Sequence, residues 1–336
     1  MKKQLTRIAS WMLLATMGQA GAFAQNIRID MNQTYPEKTI SLQKVADVKY
    51  IPLETTDEVL FNGIVTNLSA EGIAGFNKKE GDILVFDGTG KAIASFNHTG
   101  QGPNEYNKIY HLDVDWKQKE VYVQDNFRQK IRIYGLDGRH LRTIDLQENM
   151  QQGDLYSFSD TPLIYYAQPK IKPVTAYEPV TLLSTKDASK VTLPFTKTDD
   201  NLVKATGGPF GDMKMSAKNV NLLCKKGDEV YVNEVTADVI YRVESNHALT
   251  PVVERTPSYQ DASGQDFFLM LTGANARYYF FKRQQALLEF QGNAATDTKS
   301  TYVAYDRKEK QLLNPTFTNE DYPSQDIPMS KLLQCA

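Results

Sequence analysis

The chain has 336 residues, with 41% hydrophobic and 23% charged side chains, the balance of a water-soluble globular protein long enough to bury a sizeable core. Its net charge is −2; residues 1–24 hold three basic and no acidic side chains, so their removal takes it to −5. Neither value carries the electrostatic footprint of a nucleic-acid or anionic-membrane binder, and both partners are excluded on that ground.

The N-terminus reads as a segment apart from the fold. Lys2, Lys3 and Arg7 precede the short apolar stretch "IASWMLLATMG" (Ile8 to Gly18), and Ala22-Phe23-Ala24 then supplies small residues two apart. That order is the one of a secretory signal peptide over residues 1–24, with cleavage after Ala24. The apolar stretch is shorter than a membrane span, and no lipobox cysteine lies near the cut. The expected product is therefore periplasmic or secreted, a single domain over residues 25–336 with no membrane insertion once the signal is removed. The two cysteines, Cys224 and Cys335, form no CxxC pair and define no disulfide scaffold, though two thiols in an exported chain can pair.

Beyond the signal, short runs of alternating apolar residues replace helical periodicity. "VKYIPLET" (Val48 to Thr55) is expected to be a first strand, contributed to a blade shared by the two chain ends. "ILVF" (Ile83 to Phe86), "AIASF" (Ala92 to Phe96), "EVYVQ" (Glu120 to Gln124) and "KIRIY" (Lys130 to Tyr134) follow, rich in Val, Ile, Tyr and Phe and separated by Gly, Asp and Asn. "DGTGK" (Asp87 to Lys91) and "LDGRH" (Leu136 to His140) place glycine where a hairpin needs positive φ. The layout recurs over 72–96, 111–144, 155–193 (more loosely), 220–253 and 285–313, which gives five visible units at a spacing of roughly 45 to 65 residues. Ser263 to Arg283 carries the one fair helical pattern and is expected to be mostly loop leading into strand. A small antiparallel unit cannot bury both faces alone, and radial stacking around an axis solves this. The expectation is an all-β, six-bladed β-propeller of four-stranded antiparallel blades, with the last blade short or incomplete.

The stretch "GQGPNEYNKIYHLDVDWKQKEVYVQDNFRQKIRIYGLDGRHL" resembles an NHL-type propeller repeat in its glycine-proline-acid-aromatic turn, its "VYVQD" strand and its "IRIY" strand before Asp-Gly. With "YIPLET" before it and the blade series after it, residues 40 to 320 resemble the exported six-bladed β-propeller proteins (NHL/TolB-like) of Bacteroides-type bacteria. The resemblance implies the fold far more than any activity. The strands that usually complete the family's last blade are missing or poorly formed after "PTFTNEDYPSQDIPMSKLLQCA", which suggests a truncated or irregular C-terminal end.

No motif carries recognisable catalysis. Gly100, Gly102 and Pro103 invite a phosphate-loop reading, but no GK[ST] and no amphipathic helix follow; they fit a turn between blades that Glu105 and Tyr106 tie to the next one. His98, His111, His140 and His247 lack metal-ligand spacing, and no GxSxG elbow is present. Asp113 and Asp115 of "DVDW" lie on one side of a strand without further oxygen ligands and read as a solvated face. No cofactor is implied, and a divalent cation in the channel stays open.

Aligning the units places Asn77, Asp125, Gln168, Asn233 and Gln291 just after each second strand. Around an axis these would gather on one face, joined by Lys78, Asn126, Arg128 and Glu234, as a rim for a polar small molecule, glycan, peptide or protein; the alternative is that they only cap turns. "NARYYFFKR" (Asn275 to Arg283) offers Tyr278 and Tyr279 either as stacking platforms or, better, as core. The expected function is an exported binding or scaffold module that acts as a monomer. The competing reading is a lyase or hydrolase acting on a carbohydrate or small metabolite in the central channel, and a blade-edge partner of an outer-membrane system is a third.

Overall fold

A computed structural model describes residues 26–125, 128–146, 150–151, 153–158, 162–166, 168–169, 178–195, 202–206, 213–216, 222–259, 261, 267–285, 287–291, 294–295, 299–322 and 326–327. The signal-peptide expectation, Asn126, Cys335 and its pairing with Cys224 lie outside the described residues, and only the backbone of Gln168 and Gln291 lies within them.

Two strands, β1 (Ile27–Asp30) and β2 (Glu37–Ser41), precede the ring. Blade I is β3 (Ile64–Leu68), β4 (Gly72–Phe76), β5 (Ile83–Asp87) and β6 (Ala92–Phe96); blade II is β7 (Ile109–Asp115), β8 (Glu120–Asp125), β9 (Lys130–Gly135) and β10 (His140–Asp145). After the short β11 (Met150–Gln151), blade III is β12 (Leu155–Ser157), β13 (Pro162–Tyr166), β15 (Val180–Ser184) and β16 (Lys190–Thr192), with β14 (Gln168–Pro169) pairing β11. The hairpin of β17 (Leu202–Thr206) and β18 (Met213–Ser216) leads to blade IV, which is β19 (Leu223–Lys226), β20 (Glu229–Val232), β21 (Val239–Val243) and β22 (Leu249–Thr256). Blade V is β23 (Phe267–Ala274), β24 (Tyr278–Gln285), β27 (Ser300–Asp306) and β28 (Gln311–Thr318), interrupted by β25 (Leu287–Gln291) and β26 (Ala294–Ala295); β29 (Asp326–Ile327) pairs β28.

The blades form because each sheet has apolar side chains on both faces. In blade II, Val121, Val123 and Tyr134 pack toward blade I, while Tyr122, Ile131 and Ile133 pack toward blade III. Blades III and IV share Ile164, Leu182, Val230 and Val232, and blades IV and V share Tyr231, Leu271, Tyr279 and Phe281. Outer strands alternate instead, as in β6, where every second residue is exposed. Gly90 and Gly138 have φ of +90° and +80°, as the two Asp-Gly-type hairpins require. Asp87 Oδ1 closes the first of these by accepting from the Thr89 and Lys91 amides at 2.8 and 3.1 Å.

The ring has five blades, not six. The strands available for a sixth go elsewhere. β1 adds in parallel to β22, pairing Ile27 with Val253, and β2 adds in parallel to β28, pairing Glu37 with Asn314. Residues 48–55 form no strand. Leu42 and Val45 pack on blade V, and Ile51, Leu53, Val59 and Phe61 pack on Ile73, Leu84 and Phe86 of blade I. An irregular strap thus sits at the junction of blades V and I. It is fastened by Tyr50, whose hydroxyl donates to Asp321 Oδ2 at 3.0 Å and accepts from Asn319 Nδ2 at 2.7 Å.

Two further expectations change. The last blade has all four strands. The described part of 263–283 contains β23 and most of β24, a long hairpin whose bulge between Leu271 and Gly273 breaks strict alternation and imitates a helical period.

Candidate binding site

Strand direction sorts the connections onto two faces. First-to-second and third-to-fourth strand turns lie on one face; second-to-third turns and blade-to-blade crossings lie on the other. A cavity of about 1090 Å³ opens among the first-to-second turns. Its wall takes Asn67 from β3, Asp113 from β7, Ser157 from β12, Lys225 from β19 and Ala274 from β23, so all five blades contribute their innermost strand.

Asp113 is the hub of this wall and is 1% exposed. Its Oδ1 accepts from Asn67 Nδ2 of blade I at 2.5 Å. Its Oδ2 accepts from the Ser157 amide at 2.6 Å and hydroxyl at 2.9 Å in blade III, and from Lys225 Nζ of blade IV at 3.2 Å. Lys225 Nζ also donates to Ser157 Oγ at 2.5 Å, and Trp116 Nε1 donates to Asn67 Oδ1 at 2.8 Å. One carboxylate thereby ties four inner strands together, and the solvated-face expectation for Asp113 is corrected. Asp115 accepts from the Gln118 amide at 2.9 Å, as a turn carboxylate does.

The remaining charges near the mouth are also paired in part. Arg242 bonds Glu244 at 2.9 Å and Glu229 at 3.2 Å. By contrast, Thr66 Oγ1 and His111 Nε2 are buried and lack a hydrogen-bond partner among the described residues. Thr66 lines the cavity at the β-bulge between Val65 and Asn67. The His111 ring stands edge-on to Tyr156 at 5.1 Å; burial holds its pKa below the usual histidine value, against the opposing pull of Asp113. Burial likewise drives the Tyr156 hydroxyl well above its ordinary range. Asp154 accepts from the Leu222 and Leu223 amides at 2.6 and 2.9 Å, and burial still raises its carboxyl to about 6.

The sequence-selected rim residues sit elsewhere. Asn77, Asp125 and Asn233 end their blades' second strands, on the face opposite the cavity turns, and are 3%, 0% and 2% exposed. Asn77 accepts from the Asn62 amide and donates to Leu60 O, both at 3.0 Å. Asp125 accepts from the Asn107 amide at 2.8 Å and from Arg132 Nη1 at 2.9 Å. Asn233 reaches blade V, accepting from the Leu271 amide at 2.9 Å and donating to its carbonyl at 3.2 Å. Glu234 is buried and accepts from the Thr236 amide and hydroxyl. Arg128 donates to Gly102 O at 3.1 Å and Gln101 Oε1 at 2.5 Å. Lys78 is exposed beside Lys79 and Glu80. Gln168 follows the second strand of blade III, whereas Gln291 lies on β25, outside the blade strands. Asn77, Lys78, Asp125, Arg128, Asn233 and Glu234 do not line the large cavity.

The glycine-rich turn satisfies itself: Glu105 Oε2 accepts from the Gly102 amide at 2.7 Å, and Tyr106 reaches back to Gly81 O at 2.7 Å. It is tied to blade II by Tyr134, whose hydroxyl donates to Asn104 O at 2.7 Å, and by the Arg128 bonds to Gly102 and Gln101. Tyr278 and Tyr279 are buried. Among the described residues no cluster of three or more His, Cys, Asp or Glu side chains could hold a metal ion, and no helix is long and apolar enough to cross a membrane.

Sequence reasoning passed over Asn67, Ser157 and Lys225 and read Asp113 as part of a solvated face. The available signal was a polar residue near the end of the first strand in blades I to IV.

These features define a five-bladed β-propeller with a polar cavity at its axis. The chain belongs to the family described as "Domain of unknown function (DUF4934)", which matches residues 26–330. None of the curated proteins matches it. Among solved structures, it is similar to one described as an exported protein of Bacteroides fragilis NCTC 9343, at 14% identity and a TM-score of 0.56, covering 85% of this chain and 79% of that one. It is also similar to a member of the DUF4221 family from Bacteroides vulgatus ATCC 8482, at 9% identity and a TM-score of 0.51, covering 80% of this chain and 87% of that one. At these identities the likeness is one of fold.

Proposed function

We propose that the chain is an exported binding module that holds a polar ligand in the axial cavity, entered from the face of the first-to-second strand turns. The single observation that carries this reading is the Asp113 hub, which fixes inner strands of four blades around a cavity of about 1090 Å³. Rigid polar walls converging on a concave space are the general form of a small-ligand site. Export is supported by the residue 1–24 pattern and by the fold shared with a protein described as exported.

The network favours binding over turnover. Ser157 Oγ donates to Asp113 and accepts from Lys225, and an ammonium already donating to a carboxylate is poorly placed to take the serine proton. The catalytic alternative rests on the His111–Tyr156 ring pair.

Calorimetric titration against pooled oligosaccharides and short peptides tests the reading, with Ala70→Trp and Ser245→Trp as plugs at exposed cavity positions. Saturable binding abolished by either plug, and kept in Lys78→Ala on the other face, is expected. Binding indifferent to both plugs overturns the location, and steady turnover of a bound compound overturns the non-catalytic role. N-terminal sequencing of the exported chain tests processing: a first residue of Gln25 is expected, and retention of residues 1–24 contradicts it.

A further inference from the structure

Four junctions between neighbouring blades are sealed directly, and the fifth is not. Blades I and II, II and III, III and IV, and IV and V each share a core. Hydrogen bonds reinforce these junctions in turn: Asn67 to Asp113, Ser157 to Asp113, Leu222 to Asp154 and Leu271 to Asn233. Among the described residues no core cluster, hydrogen bond or ion pair joins a strand of blade V to a strand of blade I. Residues 42–61 stand between the two instead, and none of them is buried.

The strap holds its two blades by different means. On blade I the hold is largely apolar: Phe61 meets Phe86 edge-on at 6.2 Å, beside Ile51, Leu53 and Val59. Glu54 adds backbone pairing, its amide donating to Gly90 O and its Oε2 accepting from the Ala92 amide, both at 2.8 Å. On blade V, Leu42 and Val45 are only partly buried, and the rest is a polar clasp at the surface. Gln43 Nε2 donates to Asn319 Oδ1 at 2.5 Å and Asp321 Oδ2 at 3.1 Å, and Tyr50 bonds the same two side chains. The Tyr50 ring, 54% exposed, stands edge-on to exposed Tyr322 at 5.8 Å. Water replaces such bonds at little net cost, so the strap lets go of blade V first. We infer that the Gln43–Tyr50 clasp is a latch, whose release lets blades V and I part while both stay folded. β2 stays paired with β28, and residues 42–50, which span about 30 Å when extended, tether the parted blades. Leu68, Ser69 and Ala70 of blade I and Ala274 of blade V line the axial cavity on either side of this seam, so release widens it sideways.

Spin labels on exposed Ser95→Cys in blade I and Lys308→Cys in blade V read the seam, in a Cys335→Ser background whose remaining Cys224 is buried. Labels on Ser95→Cys and exposed Arg139→Cys read the junction of blades I and II as the control. Two variants loosen the clasp: Tyr50→Phe, which loses one exposed hydroxyl and leaves the fold intact, and Gln43→Ala with Tyr50→Phe. The double variant should broaden the V–I distances toward longer values, Tyr50→Phe less so, and neither should change the I–II distances. In the double variant the Val45 and Ala46 amides, bonded to Leu42 O at 3.0 and 2.8 Å, should exchange with solvent deuterium about tenfold faster or more, with Val123 and Ile131 of blade II unchanged. V–I distances unchanged in both variants overturn the latch. Broadening of both label pairs together also overturns it, since that is a general loosening of the ring.

Discussion

Lys225 of blade IV reaches past blade III to Asp113 of blade II, with 3.2 Å between Nζ and Oδ2. Such a reach needs a narrow axis, and five blades bring the inner strands close enough for it. Because Asp113 also takes Asn67 and Ser157, removing the carboxylate strands four donor groups on three residues, and removing Lys225 leaves the buried Asp113 charge without its cation. Asp113→Ala and Lys225→Met should therefore each cost about 3–5 kcal/mol. Urea unfolding of both variants and the double variant measures this; additive effects would show that the pair is not coupled.

The buried amides on the opposite face should govern stability and not ligand affinity. Asn233→Ala leaves the Leu271 amide and carbonyl without their side-chain partner and should cost about 1–3 kcal/mol. Unfolding and ligand titration on the same variant check it, and weakened binding at unchanged stability would return this residue to the ligand site.

Much of the fold was legible because turn chemistry and strand alternation are local. Asp87, Gly90 and Gly138 mark their hairpins whatever the rest of the ring does. Blade number was not legible, since β1 and β2 look like any other strand and only long-range parallel pairing assigns them to blades IV and V. The Val48–Thr55 stretch misled because apolar alternation in a strap that packs on blade I resembles that of a strand. The site was hidden for a related reason. Asn77 and Asp125 recur at equivalent positions because each braces the segment entering its own blade, whereas Asp113 and Lys225 meet only across the axis.

Acid response should show two opposing contributions. The Asp154 carboxyl, raised to about 6 by burial, keeps the folded chain more protonated than the unfolded one between about pH 4 and 6, so acidification through that window stabilises it. His111, lowered by burial, does the reverse: its contribution is present above the unfolded histidine pKa of about 6.5 and is lost as pH falls. Asp154→Asn should make the loss of stability on acidification steeper, and His111→Phe should make it shallower. Urea midpoints from pH 4 to 8 measure both, and parallel curves for all three proteins would refute the assignment.

Cys224 is buried, and burial lifts its thiol to about 11. In Cys335→Ser, where it is the single cysteine, it should resist a disulfide reagent in the native state and react on unfolding. Rapid native labelling would show that the blade IV–V core opens.

Hydrogen exchange with and without the pooled oligosaccharides and short peptides tests the axial site most directly. Ligand should slow exchange at 66–71, 113–117 and 225–229, the inner-strand ends and turns that surround the cavity. Protection confined to 77–82 and 233–238 would place the ligand on the opposite face and contradict the account.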